Sequence, residues 1–454
     1  MGALSLIPAV VAITLALWKR EVILALVAAL FSAELLLHHG NPLHAGAGFI
    51  ERLLATIADS SNAQILMFSL LMGAFLRLIR ESGGVNGFVH LLGRAGLTRT
   101  PRQAGLLASS LGLGIFIESN LSVLTAGIVS QKLFDKFNMS RARLAYFIDA
   151  TCAPGRVTIP LNAWGAYILG LLAIYQLPNP THTLLQSIPL NLYAVLTISL
   201  VFYTAITGNV YGPLKRLEQT QHHHYSEVKN TTDPEGLARF MVVPLVTLVA
   251  GILGFMWLTG HGDIMQGSGA TSVLWATCLA LLVSYVLLLS HGVFKHKDII
   301  RLSFEGMSDL LPLVTTVLLA MSLGSAMKAL GTGDFVAGFV GPLLPIYLIV
   351  PFVFMAGAVI SFTTGTSWGT FAIMMPLAMP LALSLGIPPA LVLSAVLGGG
   401  VFGDHCSPIS DTTIVAALAS GCDLLEHTQT QLPYALFAAG VSVLGYLAIG
   451  LMTL

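Results

Sequence analysis

The sequence predicts an all-α polytopic membrane protein made of two inverted repeats, with about ten transmembrane helices, two re-entrant hairpins and discontinuous helices. Three observations lead there. The chain of 454 residues is 55% hydrophobic and only 9% charged, with a mean hydropathy of +0.84. One long polar segment, 212–238, divides it into comparable halves. Its lysines and arginines are unevenly distributed between those halves.

A soluble domain of this length carries roughly 25% charged residues to cover its surface. That surface is missing, so lipid must cover the outside, and membrane lipid is the first expected partner. A net charge of +0 and a pI of about 7.2 give no reason to expect a nucleic-acid partner. No short apolar run ends in a small-residue cleavage site, so a removable signal peptide is not expected, and Ala3 to Trp18 reads as a first span. Cys152, Cys278, Cys406 and Cys422 lie within or at the ends of apolar segments without CxxC spacing, which suits neither a disulfide framework nor a metal knuckle.

Crossing the hydrocarbon takes about 20 apolar residues. Such runs fall near 3–19, 22–38, 63–80, 143–171, 187–207, 240–259, 272–291, 309–330, 391–420 and 432–453, and two more apolar stretches occupy 104–131 and 347–384. The polar segment holds Lys215, Arg216, His222, His223, His224 and Lys229, and its histidine run reads as a solvated loop tract. The expected units are therefore 1–211 as the first repeat, 212–238 as a cytoplasmic loop and 239–454 as the second repeat.

Cytoplasmic loops are enriched in Lys and Arg. Arg94, Arg99 and Arg102 precede 104–131, and Lys132, Lys136, Arg141 and Arg143 follow it. Both flanks belong inside, so this stretch reads as a re-entrant hairpin turning between Gly112 and Asn120. The flanks of 347–384 hold no Lys or Arg at all, and Lys328 is the only such residue after Arg301. External flanks would look like that. Five crossings and one hairpin per half then invert the second half, because five is odd, and Lys19, Arg20, Lys295, Lys297 and Arg301 fall inside. Twelve plain spans would make the halves parallel and would put the seven basic flanking residues on opposite sides.

Internal similarity supports the repeat. Gly73 and Gly87 match Gly324 and Gly338; Ile115 to Asn120 matches Ser361 to Ser367; Cys152-Ala153-Pro154 matches Cys406-Ser407-Pro408. Discontinuous helices at matched positions point to a binding site near the membrane midplane. Pro154, Pro160 and Pro408 each lack an amide donor and are expected to break their helices. Unwound backbone at that depth is tolerated only within protein or beside a water-filled cavity. The freed carbonyls, with nearby hydroxyls and carboxylates, form an oxygen set suited to a hard cation such as Na⁺. Half-helix N-termini at the same breaks suit an anion.

For the cation the candidates are Asp404, Ser407, Ser410, Asp411 and Thr412. For substrate or proton binding they are Glu118, Ser119, Asn120, Asp149, Arg156, Thr158, Asn162, Thr364, Thr366, Ser367 and His405. An ionisable group at mid-membrane costs ~2.5–3.5 kcal/mol on insertion scales, so each needs a function or a partner. His405 reads either as a proton shuttle or as a structural histidine. Glu118 reads as functional or as a hairpin cap. Arg156 would either neutralise Asp149 or Glu118, or clamp a substrate carboxylate. Trp164 and Trp368 read as packing residues.

Gly403-Asp404-His405-Cys406-Ser407-Pro408-Ile409-Ser410-Asp411-Thr412-Thr413-Ile414 resembles the signature of the NhaC family of Na⁺/H⁺ antiporters. Cys422-Asp423, His427, Gln431-Leu432-Pro433-Tyr434 and Ile159-Pro160-Leu161-Asn162-Ala163-Trp164-Gly165-Ala166 fit the same family. The resemblance implies inverted repeats with paired hairpins and Na⁺-linked secondary transport, with Na⁺ as the coupling ion and no organic cofactor. Similar proteins exchange H⁺, small carboxylates or amino acids. Two readings follow: Na⁺/H⁺ antiport by alternating access, with Na⁺ and H⁺ as partners, or Na⁺- or H⁺-coupled movement of a small organic anion or amino acid. The expected location is the cell inner (plasma) membrane, multi-pass, with the basic loops cytoplasmic; a homodimer is one assembly left open. The chain has no Gly-rich nucleotide-binding Lys loop, and no nucleophile with a matching base, so neither a primary pump nor an enzyme is expected. A channel or receptor fits less well, since the sequence holds neither a recognisable pore filter nor a sizeable soluble domain.

Overall fold

The computed structural model describes residues 2–19, 21–85, 87, 88, 99–115, 119–175, 177–220, 237–332, 335, 338 and 345–453. Among them every regular element is helical, and ten helices are long and apolar enough to cross a membrane. The protein is an all-α, multi-pass membrane protein.

In the first half the helices are α1 (Ile7–Lys19), α2 (Val22–Leu37), α3 (Pro42–Ala58), α4 (Ser60–Glu81), α5 (Pro101–Gly114), α6 (Ser119–Lys136), α7 (Arg141–Thr158), α8 (Ala163–Ala173), α9 (Pro180–Leu190) and α10 (Leu192–Thr207). A short amphipathic helix, α11 (Gly212–Thr220), begins the polar segment. Then come α12 (Arg239–Thr259), α13 (Gly269–Ser290), α14 (His296–Asp309), α15 (Leu311–Ala329), α16 (Ile349–Thr364), α17 (Ser367–Leu385), α18 (Pro389–Cys406), α19 (Asp411–Ser420) and α20 (Leu424–Thr453). Local chemistry sets many of the starts. The side chains of Asn41, Thr100, Ser140, Asn162, Asn179 and Asn191 accept from amides of the first turns of α3, α5, α7, α8, α9 and α10, and proline occupies the first turn of α3, α5 and α9.

The order of elements recurs. Two apolar helices, an amphipathic helix and a further apolar helix (α1–α4) are followed by a helix pair (α5, α6) and a broken helix (α7, α8). In the second half α12–α15, then α16 and α17, then α18 and α19 follow the same order. The arms of the two helix pairs differ in length. Ile346–Thr364 and Ser367–Leu385 are each long and apolar enough to cross, whereas α5 and α6 fall short of that mark.

Two expectations are corrected. The run at 22–38 is not a simple span: α2 has only 16 residues and is long and apolar enough to cross only together with α3, from which it is bent by 119°. The discontinuous helices expected in the runs at 143–171 and 391–420 are present, with breaks at 159–162 and 407–410. Pro160 and Pro408 sit in these breaks, but Pro154 lies inside α7, whose helix runs four residues past it. The triplet at Cys152 is therefore within a helix while that at Cys406 spans a helix end, so the two occupy different places relative to their breaks.

Small residues bring the elements of the second half together. A Cβ on Gly399 would lie 2.2 Å from the Phe354 carbonyl, and one on Gly403 would lie 2.2 Å from that of Ala358. Gly399 and Gly403, one turn apart, thus form the strip of α18 against which the backbone of α16 lies. The turn after α16 is made by Gly365, left-handed at φ +68°, and it rests on the carbonyl of Ile409 in the 407–410 break. In the first half, α5 ends against α7, where a Cβ on Gly112 would meet the Thr151 hydroxyl at 2.1 Å. α19 packs on α6 and α7, with Gln131 Nε2 donating to the Ala419 carbonyl at 2.8 Å. Both helix pairs and both broken helices therefore converge on one region.

Candidate functional site

The second break is held together by side-chain hydroxyls that span elements. Ser361 Oγ donates to the Gly400 carbonyl at 2.6 Å, and Ser407 Oγ donates to the Phe362 carbonyl at 2.8 Å. Thr366 caps α17 by accepting from the Gly369 amide, and Thr364 Oγ1 bonds back to the Ile360 carbonyl of its own helix. Ser367, the first residue of α17, donates to Asp404 Oδ2 at 2.5 Å. Asp404 is buried at 2% exposure, and Ser410 across the break also interacts with it. Ser410 Oγ and Thr412 Oγ1 stand 3.0 Å apart on the other side of the break. Asp411 begins α19, is exposed, accepts from the Thr412 amide, and acts electrostatically on Asp404. The two carboxylates thus differ in access. One is enclosed beneath the α16–α17 turn and one lies open at the break, where it was expected to be enclosed too.

Next to Asp404, His405 points into a second cluster. Its Nδ1 lies 2.7 Å from the Tyr193 hydroxyl of α10, and its Nε2 lies 3.9 Å from Asp149 Oδ2. Asp149 Oδ2 also meets His427 Nε2 at 3.2 Å, Gln431 Nε2 at 2.8 Å and Thr413 Oγ1 at 3.4 Å. Gln431 Nε2 lies 2.7 Å from the His405 carbonyl as well. Asp149, His405, His427 and Gln431 are all buried, so this is a carboxylate enclosed by two imidazoles and an amide, drawn from α7, α18 and α20. The His405 carbonyl, in the turn that ends α18, is taken by Gln431.

The first break is organised differently. Asn162 caps α8, its Oδ1 accepting from Trp164 and Gly165 amides, while its Nδ2 donates to the carbonyls of Ile159 and Arg156 at 2.7 and 3.2 Å. Thr158 bonds to the Pro154 and Gly155 carbonyls of its own helix. These two candidates shape the break. Trp164 and Trp368 pack with ring centroids 5.0 Å apart, and Tyr167 donates to the Trp368 carbonyl at 2.8 Å, joining the start of α8 to the start of α17. Arg156 does not pair with Asp149, whose neighbours are the histidines; its Nη2 donates to Cys152 Sγ at 2.8 Å. Ser119 and Asn120 open α6, and Glu118 lies outside the described residues.

Sequence reasoning missed Tyr193, His427 and Gln431 as site residues. A signal for the last two existed: spaced four apart, they share one face of α20 within a run that is otherwise largely apolar.

A sequence profile described as the Na⁺/H⁺ antiporter family matches residues 155–451. An uncharacterised protein of Haemophilus influenzae is 30% identical to this chain over 98% of it and 90% of its own length. The malate-2H⁺/Na⁺-lactate antiporter of Bacillus subtilis is 32% identical over 38% of each chain. Among solved structures, the YdaH transporter of Alcanivorax borkumensis superposes with a TM-score of 0.62 over 97% of this chain and 98% of its own, at 15% identity, which is a likeness of fold. With the profile covering both breaks from Gly155 onward and the relative nearly full-length, the chain belongs to the Na⁺/H⁺ antiporter family.

Proposed function

We propose that this antiporter-family protein exchanges Na⁺ for H⁺ by alternating access across the cell inner (plasma) membrane. The observation that carries the reading is the pair of carboxylates at the second break. Asp404 is enclosed and tied to Ser367, and Asp411 is exposed seven residues later. In this reading Na⁺ enters past Asp411 and is held by Asp404 with the oxygens of Ser407, Ser410 and Thr412, and a proton replaces it on the return. Competition for one carboxylate couples the two fluxes, because occupancy by either ion excludes the other.

The same reading assigns the Asp149–His405–His427 cluster to proton handling and takes 1–211 and 239–454 as inverted repeats around 212–238, with basic loops cytoplasmic and 104–131 and 347–384 as re-entrant hairpins. The recurring order of elements and the Lys and Arg distribution support that topology. Movement of the α16–α17 turn relative to the break would then switch access between the two sides.

Proteoliposomes loaded with a pH-sensitive dye test it. An imposed Na⁺ gradient is expected to drive an opposite proton flux in the wild type, and Asp411→Asn is expected to abolish that flux. Full antiport in the Asp411→Asn protein would remove Asp411 from the mechanism. A wild type with no Na⁺-driven pH change would sink the exchange itself.

A further inference from the structure

Asp149 stands at the deep end of a polar seam between α7, α10 and α20, three helices that pack on one another. On α7, Arg143, Tyr146 and Asp149 recur at three-residue intervals and so share a face. On α20, Tyr434, Gln431 and His427 recur at intervals of three and four. The two rows interleave: the rings of Tyr146 and Tyr434 have centroids 4.5 Å apart, and Gln431 and His427 close on Asp149 one turn further in. α10 adds Tyr193, Thr197 and Thr204, all buried and on one side of that helix. The Tyr193 hydroxyl interacts with Thr197 and meets His405 Nδ1 at 2.7 Å. The Tyr146 hydroxyl interacts with Thr204 and lies close enough to act electrostatically on Tyr193. Thr204 Oγ1 itself donates to the Leu200 carbonyl at 2.8 Å, so it orients Tyr146 rather than passing a proton on.

The shallow end of the seam is a carboxylate that water reaches. Glu218 of α11, 18% exposed, accepts from Ser140 Oγ at 3.2 Å and pairs with Arg143 Nη1 at 3.5 Å. It also acts electrostatically on Tyr434, whose hydroxyl accepts from the amide of the exposed Tyr211 at 2.7 Å. Arg143 of α7 and Tyr434 of α20 thus face Glu218, and Lys215 and Arg216 share its helix. Paired with Glu218, and with Nη2 donating to the Thr204 carbonyl at 3.2 Å, Arg143 puts little net positive charge in the way of a proton. From Ser140 to Asp149 the row spans roughly 13 Å along α7, from the surface to the depth of the cluster. Packing does not call for this arrangement. Phenylalanine and valine would fill the same volumes without the cost of enclosing hydroxyls in apolar surroundings.

We propose that this seam conducts protons between the face of the protein that carries α11 and the Asp149 cluster, with Glu218 as its mouth and the hydroxyls of Tyr434, Tyr146 and Tyr193 as its relay. A proton taken up by the Glu218 carboxylate passes along the phenols, directly or through water held between them, and each phenol takes one proton as it gives up another. Tyr193 then gives a proton to His405 Nδ1, and the Nε2–H tautomer of His405 releases its own to Asp149. Only O–H and N–H bonds are made and broken, and every relay group keeps its charge. The route rests on the assignment of the Asp149 cluster to proton handling and adds the path by which one face supplies it.

Right-side-out and inverted membrane vesicles carrying the full chain test the route. Na⁺-coupled proton flux is read with a pH-sensitive dye after a pH jump applied to one face at a time, and the initial rates at the two faces are compared. Tyr193→Phe and Glu218→Gln are expected to slow the response at the α11 face roughly 10-fold or more, while the response at the opposite face and half-saturation by Na⁺ stay at wild-type values. Glu218→Asp, which keeps a carboxylate at the mouth, is expected to recover most of the rate. Tyr146→Phe makes the same prediction as Tyr193→Phe and serves if that variant does not fold. Tyr175→Phe, which removes a buried hydroxyl just past the end of α8, is the control expected to behave as wild type. Wild-type rates at the α11 face in both seam phenylalanine variants would overturn the route. Equal slowing at both faces, or the same slowing in Tyr175→Phe, would also overturn it by marking a general structural fault. Each of these results leaves Na⁺/H⁺ exchange standing, whereas a wild type without Na⁺-coupled proton flux would bring down the exchange and the route with it.

Discussion

Ser367 Oγ donates to Asp404 Oδ2 at 2.5 Å, joining the first residue of α17 to the last turn of α18 across the break region. The bond places the hydroxyl between the α16–α17 turn and the buried carboxylate, and Thr366 orients the turn by capping α17. A hydrogen bond to a charged group contributes about 1.5–3 kcal/mol, so Ser367→Ala is expected to weaken apparent Na⁺ affinity roughly 10- to 100-fold. Asp404→Asn is expected to remove Na⁺-driven proton flux altogether. Half-saturation by Na⁺, read from the proton flux, measures the first; an unchanged value in Ser367→Ala would show that the bond does not bear on ion binding.

The Asp149 cluster makes a separate prediction. His427 Nε2 lies 3.2 Å from Asp149 Oδ2 and Gln431 Nε2 lies 2.8 Å from the same oxygen. Removing either partner leaves a buried acceptor less satisfied, at a cost of about 1–3 kcal/mol. His427→Ala and Gln431→Ala are both expected to lower the unfolding temperature. Only His427→Ala also removes a group able to bind a proton, so it alone is expected to shift the pH dependence of transport. Matching pH profiles for the two variants would count against a proton role for His427.

Much of this architecture was legible in the sequence because a bilayer imposes long apolar runs and makes each interior charge conspicuous. The breaks after Thr158 and Cys406 could be read from Pro160 and Pro408, and Asp404 and Asp149 stood out as charges in apolar surroundings. What escaped was set by tertiary contact. Tyr193 meets His405 across 212 positions, and Gln431 meets Asp149 across 282, and no local pattern records either pairing. Pro154 misled for the converse reason: the almost wholly buried surroundings of α7 hold a helix that proline alone would interrupt. Asn162, Thr364 and Thr366 read as ligands from their oxygens, yet their oxygens serve helix caps and back-bonds.

The glycine strip of α18 sets a steric limit that can be tested without touching any charge. With a Cβ on Gly403 only 2.2 Å from the Ala358 carbonyl, Gly403→Ala requires α16 and α18 to separate. Overpacking of this kind costs typically 1–3 kcal/mol. The variant is expected to unfold at lower temperature and, because Asp404 is the next residue, to bind Na⁺ more weakly. Gly440→Ala on α20, where an added Cβ meets nothing within 4 Å, is the control expected to behave as wild type. Equal stability of the two would mean that the close approach of α16 and α18 is not required.

Glu34 offers the last prediction, far from the breaks. This carboxylate, 1% exposed in α2, is ion-paired with Arg52 of α3, and His38 Nε2 lies 3.6 Å from its second oxygen. Arg52 Nη1 continues to Ser325 Oγ of α15 at 3.0 Å, and Thr56 Oγ1 lies 2.9 Å from Ser322 Oγ one turn away. The pair therefore ties the bent α2–α3 unit to α15, beside a polar cavity of about 500 Å³ that the end of α8 also lines. Glu34 is an acidic residue within the apolar run at 22–38, where a charge needs a partner, though the sequence reading did not single it out. Because Glu34 is buried, Arg52→Ala leaves its carboxylate short of its main partner, and a loss of roughly 3–5 kcal/mol is expected. Glu34→Gln alone leaves a partly exposed arginine that water can solvate and is expected to cost less. Arg52→Ala combined with Glu34→Gln removes the stranded charge and is expected to recover part of the loss. Thermal unfolding of the three variants in detergent decides it: additive losses would show that the two side chains are not energetically coupled, and the tie between α2, α3 and α15 would have to rest on packing instead.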